Sequence, residues 1–294
     1  MAITVAAVSA PFGRDLDECL AAVSAHLDGA RDAAADVVVL PEAALGGYLT
    51  DLSGGGAGSA PDLPPPLDLD GPVLARVAGL AGDLVVCVGF CESDGSQRYN
   101  SAACVHDGRV IGSHRKVHLP LREDASYDAG DRFAAFATPA GRLGMLICYD
   151  KAFPESGRAL ALDGAELIAC LSAWPSSRTD PAPRLAEDRW TRRFDLYDQA
   201  GALQNQVVWA SANQSGTFGD LRFVGSAKVV GPGGDVLATT GTEAGMAVAT
   251  VDLEADLVAA RRGMGHLRDR RPELYGSLVQ PTSASSPVFA EVVP

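Results

Sequence analysis

A cysteine stands where an apolar segment gives way to the start of a helix, a place suited to a nucleophile. The segment 142–147 (RLGMLI) leads into Cys148, and Pro154 soon afterwards suits the first turn of a helix. A side chain at such a corner projects into a crevice, where backbone N–H groups can stabilise a thiolate or an oxyanion. The alternative is a structural cysteine at the end of a buried strand. That alternative fits the cysteines inside apolar runs, Cys87, Cys104 and Cys170.

A carboxylate follows a second apolar segment. Residues 36–40 (DVVVL) and Pro41 lead directly to Glu42. Open α/β sheets place their ligands at the carboxyl ends of the strands. A glutamate held there among apolar neighbours has a raised pKa and can act as a base near neutral pH. A solvent-facing glutamate after a strand is the alternative, and this segment by itself does not decide between them.

The third candidate is a lysine in the segment 113–120 (SHRKVHLP). Lysine occurs only at positions 116, 151 and 228, beside 21 arginines, so Lys116 hints that a compact ammonium group is needed there. A basic turn after a strand is the alternative. We expect His114 and His118 to be structural, because their neighbours offer no Ser/Asp or Cys/Asn arrangement that completes a catalytic set.

These candidates need strands and helices to position them, and apolar patterning predicts both. Near-continuous apolar runs indicate strands covered on both faces, and apolar residues spaced three to four apart in 15–34 indicate an amphipathic helix. The alternation of the two predicts a layered α/β fold. The predicted strands are 3–9, 36–40, 84–90, 100–105, 109–113, 142–147, 166–171, 207–211, 225–230, 235–239 and 246–251. The predicted helices are 15–34, 71–82, 153–163, 184–204 and 253–262.

Two further segments are predicted to lie outside this pattern. The low-complexity stretch 53–66 is predicted to be a loop, which either rims a pocket or varies freely in solvent. Residues 278–294 are predicted to be a tail that frays or packs on a neighbouring subunit, after a single domain formed by 1–277.

The composition favours a globular protein with a small-molecule partner. The net charge of −13 would repel nucleic acid and anionic membrane surfaces, and it fits a cationic or neutral substrate slightly better than an anionic one. No apolar run reaches the roughly 18 residues that a membrane-spanning helix needs. The first residues indicate a buried strand rather than a signal peptide, so we expect a cytoplasmic protein. The six irregularly spaced cysteines are expected to be reduced, and no zinc-ligand spacing is present, so no metal is expected.

Taken together, the three candidate segments resemble the nitrilase superfamily of carbon–nitrogen hydrolases. The match is ordered along the chain, with PEAALGGY around Glu42, RKVHLP around Lys116 and GMLICYDKAFPE around Cys148. Between the last two, EDASYDAGD resembles a family segment in which a second glutamate, here Glu123, precedes an aromatic residue and a Gly-Asp pair. The segments 171–175 (LSAWP) and 211–216 (SANQSG) also resemble the family, and the likeness covers about 3–275.

The resemblance implies an αββα sandwich, with two β-sheets between helical layers, that dimerisation extends to further layers. It also implies that Glu42 takes the proton of Cys148 and that the thiolate attacks an amide carbonyl carbon. Lys116 and the Tyr149 backbone N–H would stabilise the oxyanion, and Glu123 would hold Lys116 or the substrate. A water activated by Glu42 would then cleave the thioester, with no metal or organic cofactor.

The substrate class follows less directly. In the family, true nitrilases tend to show Trp-Glu after the cysteine, whereas Tyr149-Asp150 is more similar to the amidase and N-carbamoyl-amine hydrolase branches. We therefore expect a small linear amide or ureido substrate, with Tyr48, Tyr149 and Trp174 at its binding pocket. Tyr48 and Trp174 could equally be core aromatics. The alternatives are a nitrile substrate, a catalytically silent interaction module of the same fold and, with no fused synthetase domain to support it, an amide-transferring enzyme.

Overall fold

The computed structural model describes residues 2–50, 52 and 63–280. Residue 51, most of the predicted loop 53–66 and the tail beyond residue 280 lie outside the described residues. The predictions made for that loop and that tail therefore stay predictions.

The first half of the chain alternates strands with two helices and then turns into a three-stranded antiparallel block. In order, these elements are β1 (Ala2–Ala10), α1 (Leu16–Asp32), β2 (Val37–Val39), α2 (Pro72–Ala81), β3 (Val85–Ser93), β4 (Arg98–His106) and β5 (Arg109–Arg115). Asp15 caps α1 by accepting hydrogen bonds from the backbone N–H groups of Asp17 and Glu18.

The second half resumes the alternation. Its elements are β6 (Ala135–Thr138), β7 (Gly141–Ile147), α3 (Pro154–Leu162), β8 (Leu167–Ser172), α4 (Arg189–Asn205), β9 (Val208–Gln214), β10 (Thr217–Phe218), β11 (Leu221–Arg222), β12 (Lys228–Val230), β13 (Val236–Thr239), β14 (Gly245–Asp252) and α5 (Leu253–Arg261). Short 3₁₀ helices occur at Glu123–Ala125, Cys148–Ala152, Leu185–Glu187, Pro272–Leu274 and Gly276–Val279.

Within the described residues, twelve of the strands form one sheet. Its main order is β5-β4-β3-β2-β1-β9-β8-β7-β6, with β14 beside β1 and with β12 between β9 and β13. The two halves of the chain meet at β1, which pairs with β14 over eight residues, Ala2 to Ser9, and with β9 over two, Ser9 with Asn213 and Ala10 with Gln214. Because β1 and β9 pair over so few residues, the strands β2 to β5 on one side and β6 to β8 on the other can diverge and pack face to face.

The packing confirms the predicted αββα sandwich. Val39 and Cys87 of the first half share one buried core with Met145 and Leu171 of the second. On the outer faces, α1 and α2 cover the first half and α3 and α4 cover the second. The two predicted sheets are thus the halves of one continuous sheet. The extension of these layers by dimerisation stays a prediction.

The strand and helix predictions hold with local differences that have physical causes. The strand predicted at 225–230 begins only at Lys228, because Gly225 and Ser226 have positive φ values of 64° and 59°. The helix predicted from 184 begins at Arg189, where the Asp188 side chain accepts a hydrogen bond from the backbone N–H of Trp190. The short strands β6, β10 and β11 were not predicted, since they carry too few residues to show an alternating pattern.

A glycine in β3 allows the Glu42 turn to pass over the sheet. A Cβ atom at Gly89 would lie 2.5 Å from the backbone nitrogen of Ala43 and 2.7 Å from the Cα of Glu42. These are backbone atoms, which cannot rotate away as the end of a side chain can. The absence of a side chain at position 89 therefore helps to set where Glu42 lies.

We predict that Gly89→Ala displaces this turn, lowers the free energy of unfolding by about 1–3 kcal/mol and reduces turnover. Gly79→Ala is the matched control, because Gly79 is an exposed position of α2 where an added Cβ meets no atom within 4 Å. That control should gain about 0.5–1 kcal/mol from a stiffer unfolded chain and a better helix. Denaturant unfolding and turnover of both variants test the idea, which fails if Gly89→Ala matches the parent in both.

Candidate active site

Cys148 lies at a strained corner. The strand β7 ends at Ile147, and Cys148 opens the 3₁₀ helix Cys148–Ala152 with a φ of +49°. Left-handed backbone is uncommon for a residue with a Cβ, and such strain concentrates at functional sites. The side chain is nearly buried, yet it lines a cavity of about 310 Å³. The corner predicted from the sequence is therefore present and opens onto a pocket.

Glu42 lies just beyond β2 and is fully buried. One of its carboxylate oxygens, Oε1, accepts hydrogen bonds from Asn100 Nδ2 at 2.6 Å and Lys116 Nζ at 2.9 Å. The other, Oε2, accepts one from the backbone N–H of Ala173 at 2.5 Å. The chain turns sharply after it, with Ala43 at a φ of +55°. The alternative of a solvent-facing glutamate is wrong.

Lys116 holds two carboxylates together. Its ammonium nitrogen lies 2.9 Å from Glu42 Oε1 and 2.8 Å from both carboxylate oxygens of Glu123. The Tyr48 hydroxyl donates a further hydrogen bond to Glu123. All three charged side chains are fully buried, so each needs the others to offset the loss of hydration. The alternative of an exposed basic turn is wrong for Lys116.

Burial and neighbouring charges raise the pKa of two groups in this cluster, Cys148 and Glu123. Burial raises the pKa of the Cys148 thiol well above its ordinary value, the Glu42 carboxylate raises it further, and the Lys116 ammonium opposes both. Burial likewise raises the pKa of Glu123, and the charges of Glu42 and Asp150 act in the same direction. The resting cysteine is therefore a thiol rather than a thiolate.

Asp150 ties the lysine segment to the cysteine segment. Its carboxylate accepts hydrogen bonds from the backbone N–H groups of Ile147, Val117 and His118 at 3.2, 3.2 and 2.9 Å. It also accepts bonds from the rings of His114 at 3.0 Å and His118 at 2.9 Å. Neither histidine lines the cavity at Cys148, in keeping with the structural role expected for both. Asp150 is a positioning residue that sequence reasoning missed.

A second buried ion cluster supports the corner from behind. Lys151 Nζ lies 2.9 Å from Asp198 Oδ1 and 3.1 Å from the centre of the Phe194 ring. Asp198 also accepts hydrogen bonds from Lys228 at 3.1 Å and from the Trp209 indole at 3.0 Å. The Lys151–Asp198 ion pair thus joins α4 to the 3₁₀ helix that begins with Cys148. Sequence reasoning missed this cluster, although it had singled out the scarcity of lysine, which is the signal that could have found it.

The cavity brings together the aromatic residues expected to bind substrate and others that were not expected. Tyr48, Tyr149 and Trp174 all line it together with Cys148. The helix α4 adds side chains that sequence reasoning missed, Trp190, Arg193 and Tyr197. Their spacing of three and four residues places them on one face of the predicted helix, and this pattern could have found them. Tyr48 and Trp174 are buried and also line the cavity, so each is both a core aromatic and a pocket wall.

Within the described ranges, no group of three or more His, Cys, Asp or Glu side chains could hold a metal ion. Over the same residues, no helix is both long enough and apolar enough to cross a membrane.

Comparison with known proteins identifies the class. The family model of carbon-nitrogen hydrolase matches residues 4–261. The chain is 33% identical over 219 residues to a Schizosaccharomyces pombe protein named "Probable nitrilase", which covers 72% of this chain and 76% of that protein. It is 34% identical over 234 residues to the N-carbamoylputrescine amidase of Solanum tuberosum, covering 74% and 76%.

A solved structure extends the likeness to the fold. A mutant of the amidase from Nesterenkonia sp. AN1, showing covalent addition of the acetamide moiety of fluoroacetamide at the active site cysteine, superposes with a TM-score of 0.73 at 25% identity. The match covers 94% of this chain and 95% of that one. The chain therefore belongs to the carbon–nitrogen hydrolase family, and the predicted family resemblance is confirmed.

The charge on Asp150 should contribute to stability in a pH-dependent way. Burial opposes ionisation, but the hydrogen bonds from His114 and His118 outweigh it and lower the pKa of Asp150. A carboxyl whose pKa is lower in the folded than in the unfolded state stabilises fully above its unfolded pKa of about 3.9 and progressively less below it.

We predict that Asp150→Asn lowers the free energy of unfolding at neutral pH by about 2–4 kcal/mol. The difference from the parent should shrink as the pH falls below about 4, because the unfolded parent then binds a proton at this carboxyl while the folded parent does not. Denaturant unfolding at several pH values measures this, with exposed Asp124→Asn as control. A difference that stayed constant down to pH 2 would contradict the assignment.

Proposed function

We propose that this chain hydrolyses a carbon–nitrogen bond of a small linear amide or ureido compound, with Cys148 as nucleophile and a thioester intermediate. The observation that carries the proposal is the Lys116 ammonium held between Glu42 and Glu123 beside a thiol that lines a cavity. A base and a cation within electrostatic reach of a nucleophile are the parts that acyl transfer to sulfur requires.

In the first half-reaction, Glu42 accepts the thiol proton while the sulfur of Cys148 attacks the carbonyl carbon. A carboxylate offers about four lone-pair positions, and three hydrogen bonds occupy those of Glu42, so one remains for this proton. Lys116 and the Tyr149 backbone N–H stabilise the oxyanion. Glu42 then returns the proton to the departing nitrogen, and ammonia leaves with the thioester formed.

In the second half-reaction, Glu42 takes a proton from a water molecule that attacks the thioester. The tetrahedral intermediate collapses, the carbon–sulfur bond breaks, and the proton on Glu42 returns to the sulfur. Glu123 serves as a positioning residue, since its contacts are with Lys116 and Tyr48.

An amide or ureide is the substrate favoured over a nitrile. The supporting observations are Tyr149-Asp150 after the cysteine and the relatives named as amidases. A nitrile is the second candidate, because other relatives are named as nitrilases. Ammonia release from matched amide and nitrile pairs separates the two, since the enzyme should release ammonia from the amide and leave the corresponding nitrile intact.

We also propose that copies of this chain associate. The helix α4 exposes Leu196 and Leu203, seven residues apart on one face, and α3 exposes Leu162. Apolar side chains grouped on outer helices are typical of surfaces that a second copy covers. Light scattering after size-exclusion chromatography tests this, and a monomer at micromolar concentration would contradict it.

We predict that Cys148→Ala lowers turnover of amides and ureides by about a thousandfold or more, because no other group can form the thioester. The matched control is Cys170→Ala, which removes a buried thiol from β8, away from the cavity, and should leave turnover near that of the parent. Ammonia release measures both. Substantial activity in Cys148→Ala would refute the proposed nucleophile.

We predict that Glu42→Gln lowers kcat by about 100- to 10,000-fold, since an amide cannot accept the thiol proton. Its unfolding transition is measured alongside, to separate loss of the base from loss of the fold. Exposed Glu254→Gln on α5 controls for the loss of one carboxylate and should change neither. Parent-like kcat in a folded Glu42→Gln protein would exclude Glu42 as the base.

A further inference from the structure

The cavity at Cys148 has an uneven distribution of charge. Its described lining is mainly aromatic and apolar, with Tyr48, Trp174, Trp190 and Tyr197 among the walls. Of these described lining residues, Arg193 is the one that carries a charge at neutral pH. A substrate that fills the cavity therefore meets one cation, on the side formed by α4.

The carboxylates near the cavity do not cancel this cation. Glu42 and Glu123 are fully buried, are not part of the cavity lining, and are held against Lys116. Because neither lines the cavity, a substituent at the far end of the substrate does not meet them. Asp198 is likewise buried against Lys151.

Arg193 is free to bind a ligand. The side chain is exposed, and its guanidinium carbon lies 5.9 Å from the centre of the Trp190 ring. In the part of the chain that the structure describes, no carboxylate pairs with it. An arginine against an aromatic face keeps its planar set of N–H donors available, and that set matches the two oxygens of a carboxylate.

Neighbouring arginines on α4 differ from Arg193. Arg189 is already engaged, since it donates to Ser177 Oγ at 3.1 Å and Thr179 Oγ1 at 2.7 Å. Arg192 is exposed and does not line the cavity. The helix α4 thus places Arg193 at the pocket. Arg192, directly before it in the chain, carries the same charge outside the pocket.

We propose that Arg193 binds a carboxylate at the end of the substrate remote from the scissile bond. This inference rests on the proposed function and narrows it: the substrate is a linear amido acid or ureido acid, rather than a ureido amine. Arg193 acts in binding and specificity and takes no part in the chemical steps.

The net charge of −13 does not oppose this proposal. Charges farther apart than about 8–10 Å are largely screened at physiological salt, so the local guanidinium outweighs distant acidic residues. The whole-chain charge weakly suggested a cationic or neutral substrate. The guanidinium of Arg193 in the pocket instead favours an anionic one.

The test uses three substrates of equal chain length: a dicarboxylic acid monoamide, the corresponding neutral diamide, and the amino-amide that carries an ammonium group. The parent should show a kcat/KM for the monoamide acid that exceeds that for the amino-amide by about 10- to 100-fold, the range expected for a charge-assisted hydrogen bond. The difference should lie mainly in KM and shrink as salt is added.

Variants at position 193 separate this role from a structural one. Arg193→Gln should remove the preference for the monoamide acid over the amino-amide, Arg193→Glu should reverse it, and Arg193→Lys should retain part of it. The kcat/KM for the neutral diamide should change little in all three variants. Arg192→Glu makes the same change of charge outside the pocket and should keep the parental preference.

Two outcomes would overturn the inference. One is a parent that favours the amino-amide, and the other is Arg193→Glu with an unchanged order of the three substrates. Either leaves the proposed chemistry intact as long as Cys148→Ala abolishes turnover of whichever substrate is best. A Cys148→Ala protein as active as the parent would instead remove the proposed function itself.

Discussion

The buried Lys116 ammonium, shared by Glu42 and Glu123, is the interaction on which the site depends. Each of these charges, taken alone, would lose several kcal/mol of hydration at full burial. With the Lys116 ammonium within 2.9 Å of both carboxylates, the opposite charges offset that loss. The charges of Glu42 and Lys116 also act on the Cys148 thiol, so the buried cluster contains the groups that the proposed chemistry uses.

The sheet brings these groups together from distant parts of the chain. Glu42 follows β2, Lys116 follows β5 and Cys148 follows β7, so all three lie beyond the carboxyl ends of their strands. Because the two halves of the sheet pack face to face, Cys148 of the second half lies within electrostatic reach of Glu42 and Lys116 of the first. Asp150 then fixes the relative position of the lysine and cysteine segments through its hydrogen bonds to both.

Lysine and arginine have separate tasks in this chain. All three lysines, Lys116, Lys151 and Lys228, are buried against carboxylates, where a compact ammonium fits. Arginines lie mostly at the surface, where the guanidinium can remain hydrated. Among the described residues, Arg193 is the arginine that lines the cavity, and it can bind an anion that enters from solvent. The three lysines are buried in ion pairs.

Sequence by itself determined the elements and the candidate residues of this protein. Alternation and helical spacing depend on residues two to four positions apart, so β1, β3, β7, α1 and α4 could be predicted from local pattern. The ordered segments around Glu42, Lys116 and Cys148 carried the family resemblance. The aromatic residues expected at the pocket, Tyr48, Tyr149 and Trp174, do line it.

Only the tertiary structure decided which groups touch. Lys116 and Glu42 are 74 positions apart, and Asp198 and Lys151 are 47 apart, so no local pattern relates them. The role of Asp150 depends on how the segment that carries Cys148 packs against the sheet. The presence of Arg193 at the cavity depends on how α4 packs there. Burial and charge pairing are set by that packing, because they depend on what surrounds a side chain rather than on its neighbours along the chain.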